Sequence, residues 1–281
     1  MVSFPNCKIN LGLRILRKRK DGYHDLETVF YPLPHYDIIE LIQGSEDLVF
    51  SGSGLRVAGE PANNLCFKAI HLLKKDFPEL PPMRMHLHKN IPMGAGLGGG
   101  SADGAFTLQL INQKFRLGLS REQLLGYALQ LGSDCPFFII NKPCIAYGRG
   151  EQLKEIGVDL SGYGILLVHP GIHVNTAEAF AGINPAKPVK SVEAIIQQPV
   201  NTWKEELIND FEATVFSKYP AIKSIKASLY TNGAIYAAMS GSGSTVYGIF
   251  QDQSALASAS SAFKSSASVT ICNPPSSVRG H

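Results

Sequence analysis

The chain has 281 residues, enough for one large domain or two smaller ones, and 44% are hydrophobic against 17% charged, an ordinary globular balance that needs no covalent staples. Its 26 basic and 23 acidic residues leave a net charge of only +3, too small to make nucleic acid or a membrane surface the main partner. Five scattered cysteines (Cys7, Cys66, Cys135, Cys144, Cys272) form no CxxC pair, which argues against a zinc site or disulfide framework and for reduced thiols. The opening MVSFPNCKINLGLRIL lacks the pattern of a signal peptide, and no apolar run reaches the roughly 18 residues that span a bilayer, so a cytoplasmic protein is expected.

In chain order, residues 8–16 alternate as a strand, a basic run (Arg14, Arg17, Lys18, Arg19, Lys20) leads to the turn signal Asp21-Gly22, and YHDLETVFYPL resumes a strand. The run reads as a solvated hairpin end or, more sharply, as a device steering an anionic substrate. Asp37 to Phe50 is strand-like, with SGSG at 51–54 expected as a loop. Asn63 or Asn64 can cap a helix through LCFKAIHLLKKDF, whose Leu65, Ala69, Leu72 and Leu73 share a face. MRMHLHKNI then alternates as a strand carrying His86 and His88 on one side, and with no third ligand nearby these read as ordinary strand positions.

After the glycine-rich stretch PMGAGLGGGSADGAF comes a helix. Ser120 with Gln123 forms a capping box for another, ending near Gly132, and Pro136 suits the first turn of the next element. Residues 141–163 hold short strands. A buried-looking strand, YGILLVHPG, opens the second half, followed by expected helices through TWKEELINDFEATVF and IKSIKASLYTNG. A strand at Ala234–Met239, the turn in MSGSGSTVYGIF and a final helix plus strand complete the chain. Interleaved helices and strands without strict βαβ alternation favour an α+β class.

Gly94 to Gly99 satisfies G-x-G-x-x-G, a weak signal alone. A dinucleotide fold wants an acidic residue about 20 positions on, but that window holds Arg116 to Ser120 and no carboxylate before Glu122. A Walker A loop needs Gly-Lys-Ser/Thr, and Gly100-Ser101 has no lysine. A protein-kinase loop needs a valine–lysine strand and an HRD segment, both missing. A glycine-rich loop emptying into a helix remains, with five glycines in residues 94–100. Bare backbone N–H groups and a helix N-terminus suit phosphate oxygens. Ser101 can cap the helix or meet a magnesium ion, and Asp103 suits the helix dipole.

PMGAGLGGGSAD resembles the phosphate loop of the GHMP kinases. PNCKINLGL, DGYHDLETVF, NNLCFKA, LGSDCPFF, AYGRGE, NDFE and MSGSGSTVYGIF extend the resemblance along most of the chain. Cys7 and Gly104 stand where alanine is usual, and RKRKDGYH is more charged than expected. The resemblance implies two α+β lobes, the first a ribosomal-protein-type sandwich and the second ferredoxin-like. It places an ATP-binding domain over 1–158 and a C-terminal domain over 159–281, with the active site in the cleft between them.

It further implies phosphoryl transfer from ATP, with magnesium, to an alcohol. The branch takes a cytidine diphosphate-linked methylerythritol of the non-mevalonate isoprenoid pathway. Asp134 becomes the catalytic base with Lys8 beside it, although on residues alone they read as a helix cap and an exposed strand lysine. Tyr23 and Phe180 are expected to sandwich the cytosine base with His24 reading its edge, whereas unaided they read as packing residues. Asn10, Phe30 and Thr176 are further substrate positions. Asn64, Pro92, Met93, Gly94, Ala95, Gly96, Leu97, Gly98, Gly99, Gly100, Ser101 and Ala102 are expected at ATP, no protein ligand for magnesium is assigned, and Gly241 and Gly243 shape a loop over the phosphates. The partner is a small molecule, not nucleic acid or membrane, and the state monomer or homodimer. A nucleotide-binding module without catalysis is the non-enzymatic alternative, and retention of Lys8 and Asp134 argues against it.

Overall fold

A computed structural model describes residues 1–45, 48–57 and 61–275. Its elements run β1 (Val2–Ser3), β2 (Asn6–Lys18), β3 (His24–Tyr36), β4 (Ile38–Gln43), β5 (Leu48–Gly54), α1 (Leu65–Asp76), β6 (Met83–Lys89), α2 (Gly99–Phe115), α3 (Arg121–Leu131) and α4 (Cys135–Ile140). They continue β7 (Cys144–Tyr147), β8 (Gln152–Glu155), β9 (Gly164–His169), α5 (Thr176–Ala181), α6 (Val192–Ile196), α7 (Phe211–Lys218), α8 (Pro220–Thr231), β10 (Tyr236–Met239), β11 (Val246–Phe250), α9 (Gln253–Phe263) and β12 (Ser268–Cys272). Short 3-10 turns occupy Pro61–Asn63 and Val200–Glu205. Two compact units interleave along the chain. One comprises residues 1–7, 35–93 and 98–142, the other 8–34, 94–97 and 143–281.

In the first unit the sheet order is β1-β4-β6-β5, with β5 parallel to β6 through the α1 crossover and the other pairs antiparallel. Strict alternation along β6 turns Met83, Met85 and Leu87 inward and Arg84, His86 and His88 outward. Cys66, Ala69, Ile70 and Leu73 form the buried stripe of α1, which packs on α2. Gly104 explains itself at that contact. A Cβ there would lie 2.8 Å from the Leu65 Cβ, so the alanine usual at this position would push the two helices apart. The caps follow the sequence. Asn64 accepts the Cys66 N–H, and Ser120 and Gln123 complete a reciprocal box on α3.

In the second unit β9, β10, β11 and β12 form an antiparallel sheet in the order β10-β11-β9-β12. With α8 between β9 and β10, and α9 between β11 and β12, this is the β-α-β-β-α-β ferredoxin-like arrangement. Its core gathers Leu166, Val168, Phe211, Val215, Ile222, Leu229, Phe250 and Phe263. A second sheet runs β2-β3-β7-β8. Mixed helix and sheet in two units bears out the α+β expectation.

Two expected elements come out differently. SGSG at 51–54 belongs to β5, not to a loop. Its backbone pairs with β6, Ser51 and Ser53 hydrogen-bond the His86 and His88 rings, and Gly54 at φ +78° comes so close that a Cβ would meet the Lys89 carbonyl at 2.2 Å. The expected helix through TWKEELINDFEATVF breaks at 206–210. There the backbone turns aside to pair with β2: Leu13 N–H donates to Ile208 O and Asp210 N–H to Leu13 O, both at 2.9 Å. Satisfying a strand edge outweighs helix propensity over so short a stretch.

Candidate active site

The glycine-rich loop expected to hold phosphates owes its shape to alternation. Gly94, Gly96 and Gly98 adopt φ of +65°, +78° and +70°, where side chains are strained, while Ala95, Leu97 and Gly99 between them are buried. Ala95 and Leu97 anchor the loop and the glycines bare its backbone. Gly98 leads into α2 in a left-handed conformation with no side-chain cap, so the first N–H groups of the helix keep their hydrogen-bonding capacity for an anion.

A second glycine loop in the same unit clamps residues 94–97. The Ser240 hydroxyl donates to Gly96 O at 2.8 Å, Thr245 N–H to Ala95 O at 3.2 Å, and Lys8 N–H to Leu97 O at 2.9 Å. Asn209, buried at the helix break, holds that second loop by donating to Met239 O and Gly241 O at 2.7 and 2.8 Å. Gly241 and Gly243 adopt φ of +56° and +92° in this second loop. A Cβ on Gly241 would lie 3.3 Å from the Gly96 Cα.

Lys8 is not an exposed strand lysine. It is 4% exposed, donates from Nζ to Asn10 Oδ1 at 2.7 Å, and lies 4.6 Å from the centre of the buried Phe30 ring. Lys8 and Asn10 share a face of β2 because strand side chains repeat every two residues. Asn10 is fixed in turn by Thr28 at 3.0 Å and by the Ser240 hydroxyl on its N–H at 3.2 Å.

In the first unit Asp134 precedes α4 at φ −82° and ψ −18°, and its carboxylate makes no capping bond. The simple cap expected from residues alone is therefore absent. The next residue, Cys135, is buried, which pushes its thiol up to about 12, and it hydrogen-bonds Ser101 in the first turn of α2. A neutral thiol is a packing and tethering group, not a nucleophile. It joins the Asp134 turn to the end of the phosphate loop, a link invisible in sequence. All five cysteines are buried.

Tyr23, His24, Thr176 and Phe180 meet around a cavity of about 540 Å³ with Lys18 and Gly22, all in the second unit. Tyr23 is 56% exposed, with the Arg149 guanidinium 4.7 Å from its ring centre. His24 stacks directly on Phe180, with centroids 4.7 Å apart and planes 16° from parallel, while Phe211 meets Phe180 edge-on. The His24 pKa is lowered, by burial first and by Lys18 second, so the ring is neutral near pH 7. The Thr176 hydroxyl lies 3.1 Å from that of Ser242 in the second glycine loop.

Two features around this cavity escaped the sequence. Lys18 stood there only as part of a basic run, and Arg149 gave no signal. The run itself is largely neutralised: Arg17 pairs with Asp25, and Arg19 pairs with Asp21 at 2.9 Å and Asp25 at 3.0 Å. The solvated-hairpin reading fits those pairs, and within the run Lys18, which lines the cavity, carries the steering alternative.

The GHMP kinases N terminal domain family matches residues 64–142, and the GHMP kinases C terminal family matches residues 191–268. The 4-diphosphocytidyl-2-C-methyl-D-erythritol kinase of Cytophaga hutchinsonii is 53% identical over 251 residues, covering 89% of this chain and 92% of its own. The like-named Bacteroides fragilis protein is 52% identical over 256 residues, covering 90% and 93%. A crystal structure of a 4-(cytidine 5'-diphospho)-2C-methyl-D-erythritol kinase superposes with a TM-score of 0.85 at 28% identity, covering 97% of this chain and 98% of its own. A mevalonate kinase structure shares the fold, with a TM-score of 0.74 at 13% identity and 97% and 98% coverage.

Proposed function

Because this chain belongs to the GHMP kinase family, on its 4-diphosphocytidyl-2-C-methyl-D-erythritol kinase branch, we propose that it transfers the γ-phosphoryl group of ATP to the 2-hydroxyl of 4-diphosphocytidyl-2-C-methyl-D-erythritol, in the cytoplasm, as a step of the non-mevalonate isoprenoid pathway. The observation that carries the substrate assignment is the aromatic-walled cavity of Tyr23, His24 and Phe180, a slot suited to a flat pyrimidine base. In this reading Tyr23 and Phe180 sandwich the base and His24, beside Phe180, reads its edge.

The phosphate loop of residues 92–102 receives the nucleotide phosphates on its bared N–H groups, with Asn64 on the adenine side. A loop with no room for a side chain at Gly96 and a left-handed backbone at Gly94 fits that role. Among the described residues no group of three or more His, Cys, Asp or Glu side chains could hold a metal. Magnesium would come with the nucleotide, bound by phosphate oxygens and retained water, and would supply charge neutralisation there.

The acceptor hydroxyl sits on a carbon that also bears a methyl group, so the attacking oxygen is crowded and needs deprotonation and aim. Asp134 accepts its proton as the new O–P bond forms and the bond to ADP breaks. Lys8, held in place by Asn10, offsets negative charge on the phosphoryl group in transit. In sequence, residues 1–158 form the ATP-binding N-terminal domain of this reading and residues 159–281 the C-terminal domain. No helix among the described residues is long and apolar enough to cross a membrane.

The test is ADP release by purified protein with ATP, magnesium and a panel of alcohols. We expect turnover with the cytidine diphosphate-linked methylerythritol alone and a product whose phosphorus is bonded to the 2-oxygen. A preference for homoserine or mevalonate defeats the assignment.

The neutral His24 ring gives a pH prediction. Since its pKa is lowered, KM for the acceptor stays flat from neutral pH down past the ordinary histidine value of 6.5 and rises only below it. At that point a proton on the imidazole disturbs its contact with the base. A KM that already climbs between pH 7 and 6.5 at saturating ATP contradicts this.

A further inference from the structure

Beneath the phosphate loop lies a charge centre that the reaction, as described so far, does not use. Lys89, the last residue of β6, is 1% exposed, and its ammonium is shared by the carboxylates of Asp37 and Asp103, with the Asp103 contact at 2.8 Å. Both carboxylates are buried as well. Asp37 uses its other oxygen to accept the N–H groups of Asn90 and Ile91, at 2.6 and 2.9 Å. Asp103, one turn into α2, has its second oxygen buried with no hydrogen-bond partner.

These bonds fall at the two ends of one segment. Asn90 and Ile91 immediately precede Pro92, where the phosphate loop begins, and Asp103 rides on the helix into which it empties. The ends also touch. A Cβ on Gly99 would lie 2.8 Å from Ile91 and 3.2 Å from the Lys89 ammonium. One buried cation therefore ties the start of the loop, through Asp37, to its exit, through Asp103.

Stability alone does not account for such a centre. A buried cation held by two desolvated carboxyl groups is commonly no better than well-packed apolar ones, and here one Asp103 oxygen is left without a hydrogen bond besides. Burial, opposed by Lys89, keeps the Asp103 carboxyl well above the ordinary range. The Lys89 ammonium stays charged because attraction to both carboxylates outweighs the cost of its own burial. What the centre does supply is a fixed distance between the two ends of a loop whose glycines cannot set it themselves.

We propose that Lys89, held between Asp37 and Asp103, is a positioning residue that fixes the span of the phosphate loop and thereby sets affinity for the nucleotide. The proposal rests on the assignment of ATP to residues 92–102. It acts through the Asp103–Lys89 tie and touches neither the nucleotide nor the acceptor.

The test compares Asp103→Ala with Asp103→Asn. The alanine variant cuts the tie on the helix side but leaves Lys89 paired with Asp37, a balanced pair, so no lone buried charge remains. The asparagine variant keeps an oxygen for the ammonium. Calorimetric titration with ADP, KM for ATP, KM for the acceptor and the melting temperature are read for each. We expect Asp103→Ala to weaken ADP and raise KM for ATP about tenfold or more while leaving the acceptor KM unchanged, and Asp103→Asn to stay within about twofold of the parent. Unchanged ADP affinity in Asp103→Ala overturns the proposal. So does equal loss in both variants, which would make the charge and not the tie decisive, and so does a parallel loss of acceptor affinity. Gly96→Ala in the same titration reports on the nucleotide assignment separately, since ADP affinity indifferent to that substitution removes the premise itself.

Discussion

Asp134→Asn lowers kcat by about a hundredfold or more, while KM for ATP and for the acceptor stay within a few-fold of the parent. The size follows from losing a positioned general base, which contributes on the order of 10² to 10⁴ in rate. The change is isosteric, removes the charge and the capacity to take a proton, and breaks no capping bond, because the Asp134 side chain makes none to α4. The neighbouring tether, from Cys135 to Ser101, is untouched. Single-turnover measurements with both substrates saturating separate this from slow product release. A variant that retains a tenth or more of parental kcat would assign Asp134 to structure and not to chemistry.

Gly96→Ala has the second largest effect, and here geometry alone decides. The new Cβ would stand 2.0 Å from the Ser240 carbonyl oxygen and 2.9 Å from its carbon, both backbone atoms with nowhere to retreat. The backbone at φ +78° adds strain. Relief requires the loop to part from residues 240–245, breaking the Ser240 to Gly96 and Thr245 to Ala95 hydrogen bonds. A displacement of about 1 Å costs on the order of a hundredfold where phosphates must be held in line, so KM for ATP rises by about that factor. The melting temperature falls as well. Gly126→Ala is the control. That glycine lies inside α3 with nothing within 4 Å of its Cβ position, so the substitution raises stability by about 0.5–1 kcal/mol and leaves both KM values alone. A Gly96→Ala protein with parental KM for ATP would mean that the two glycine loops do not act as one clamp.

Lys8 shows the limit of local reading. A lysine in an alternating strand is ordinarily exposed, and nothing in PNCKINLGL says otherwise. The ring of Phe30, on β3, and the amide of Asn10, two residues on along β2, take it out of water. Only the resemblance to GHMP kinases pointed to it in advance. Asp103 shows the reverse. Its place near a helix start was a sufficient local reason for its charge, and that reason is incomplete, because its carboxylate faces Lys89 and not the helix dipole alone.

The sequence by itself determined the elements whose causes are local. Asn64 and the Ser120–Gln123 box mark helix starts, alternation marks β6, and the run of glycines marks a loop with bare backbone. These depend on neighbours within a few residues, which is the range over which helix and strand periodicity act. Tertiary structure decided what depends on partners far along the chain. It drew SGSG into β5 by pairing it with β6, and it broke the helix at 206–210 to satisfy β2. It also stacked His24 on Phe180 across more than 150 residues and gathered Asp37, Lys89 and Asp103 around one buried charge. Backbone hydrogen bonds and buried charges must be satisfied wherever the partner lies, and sequence spacing carries no record of which distant partner will satisfy them.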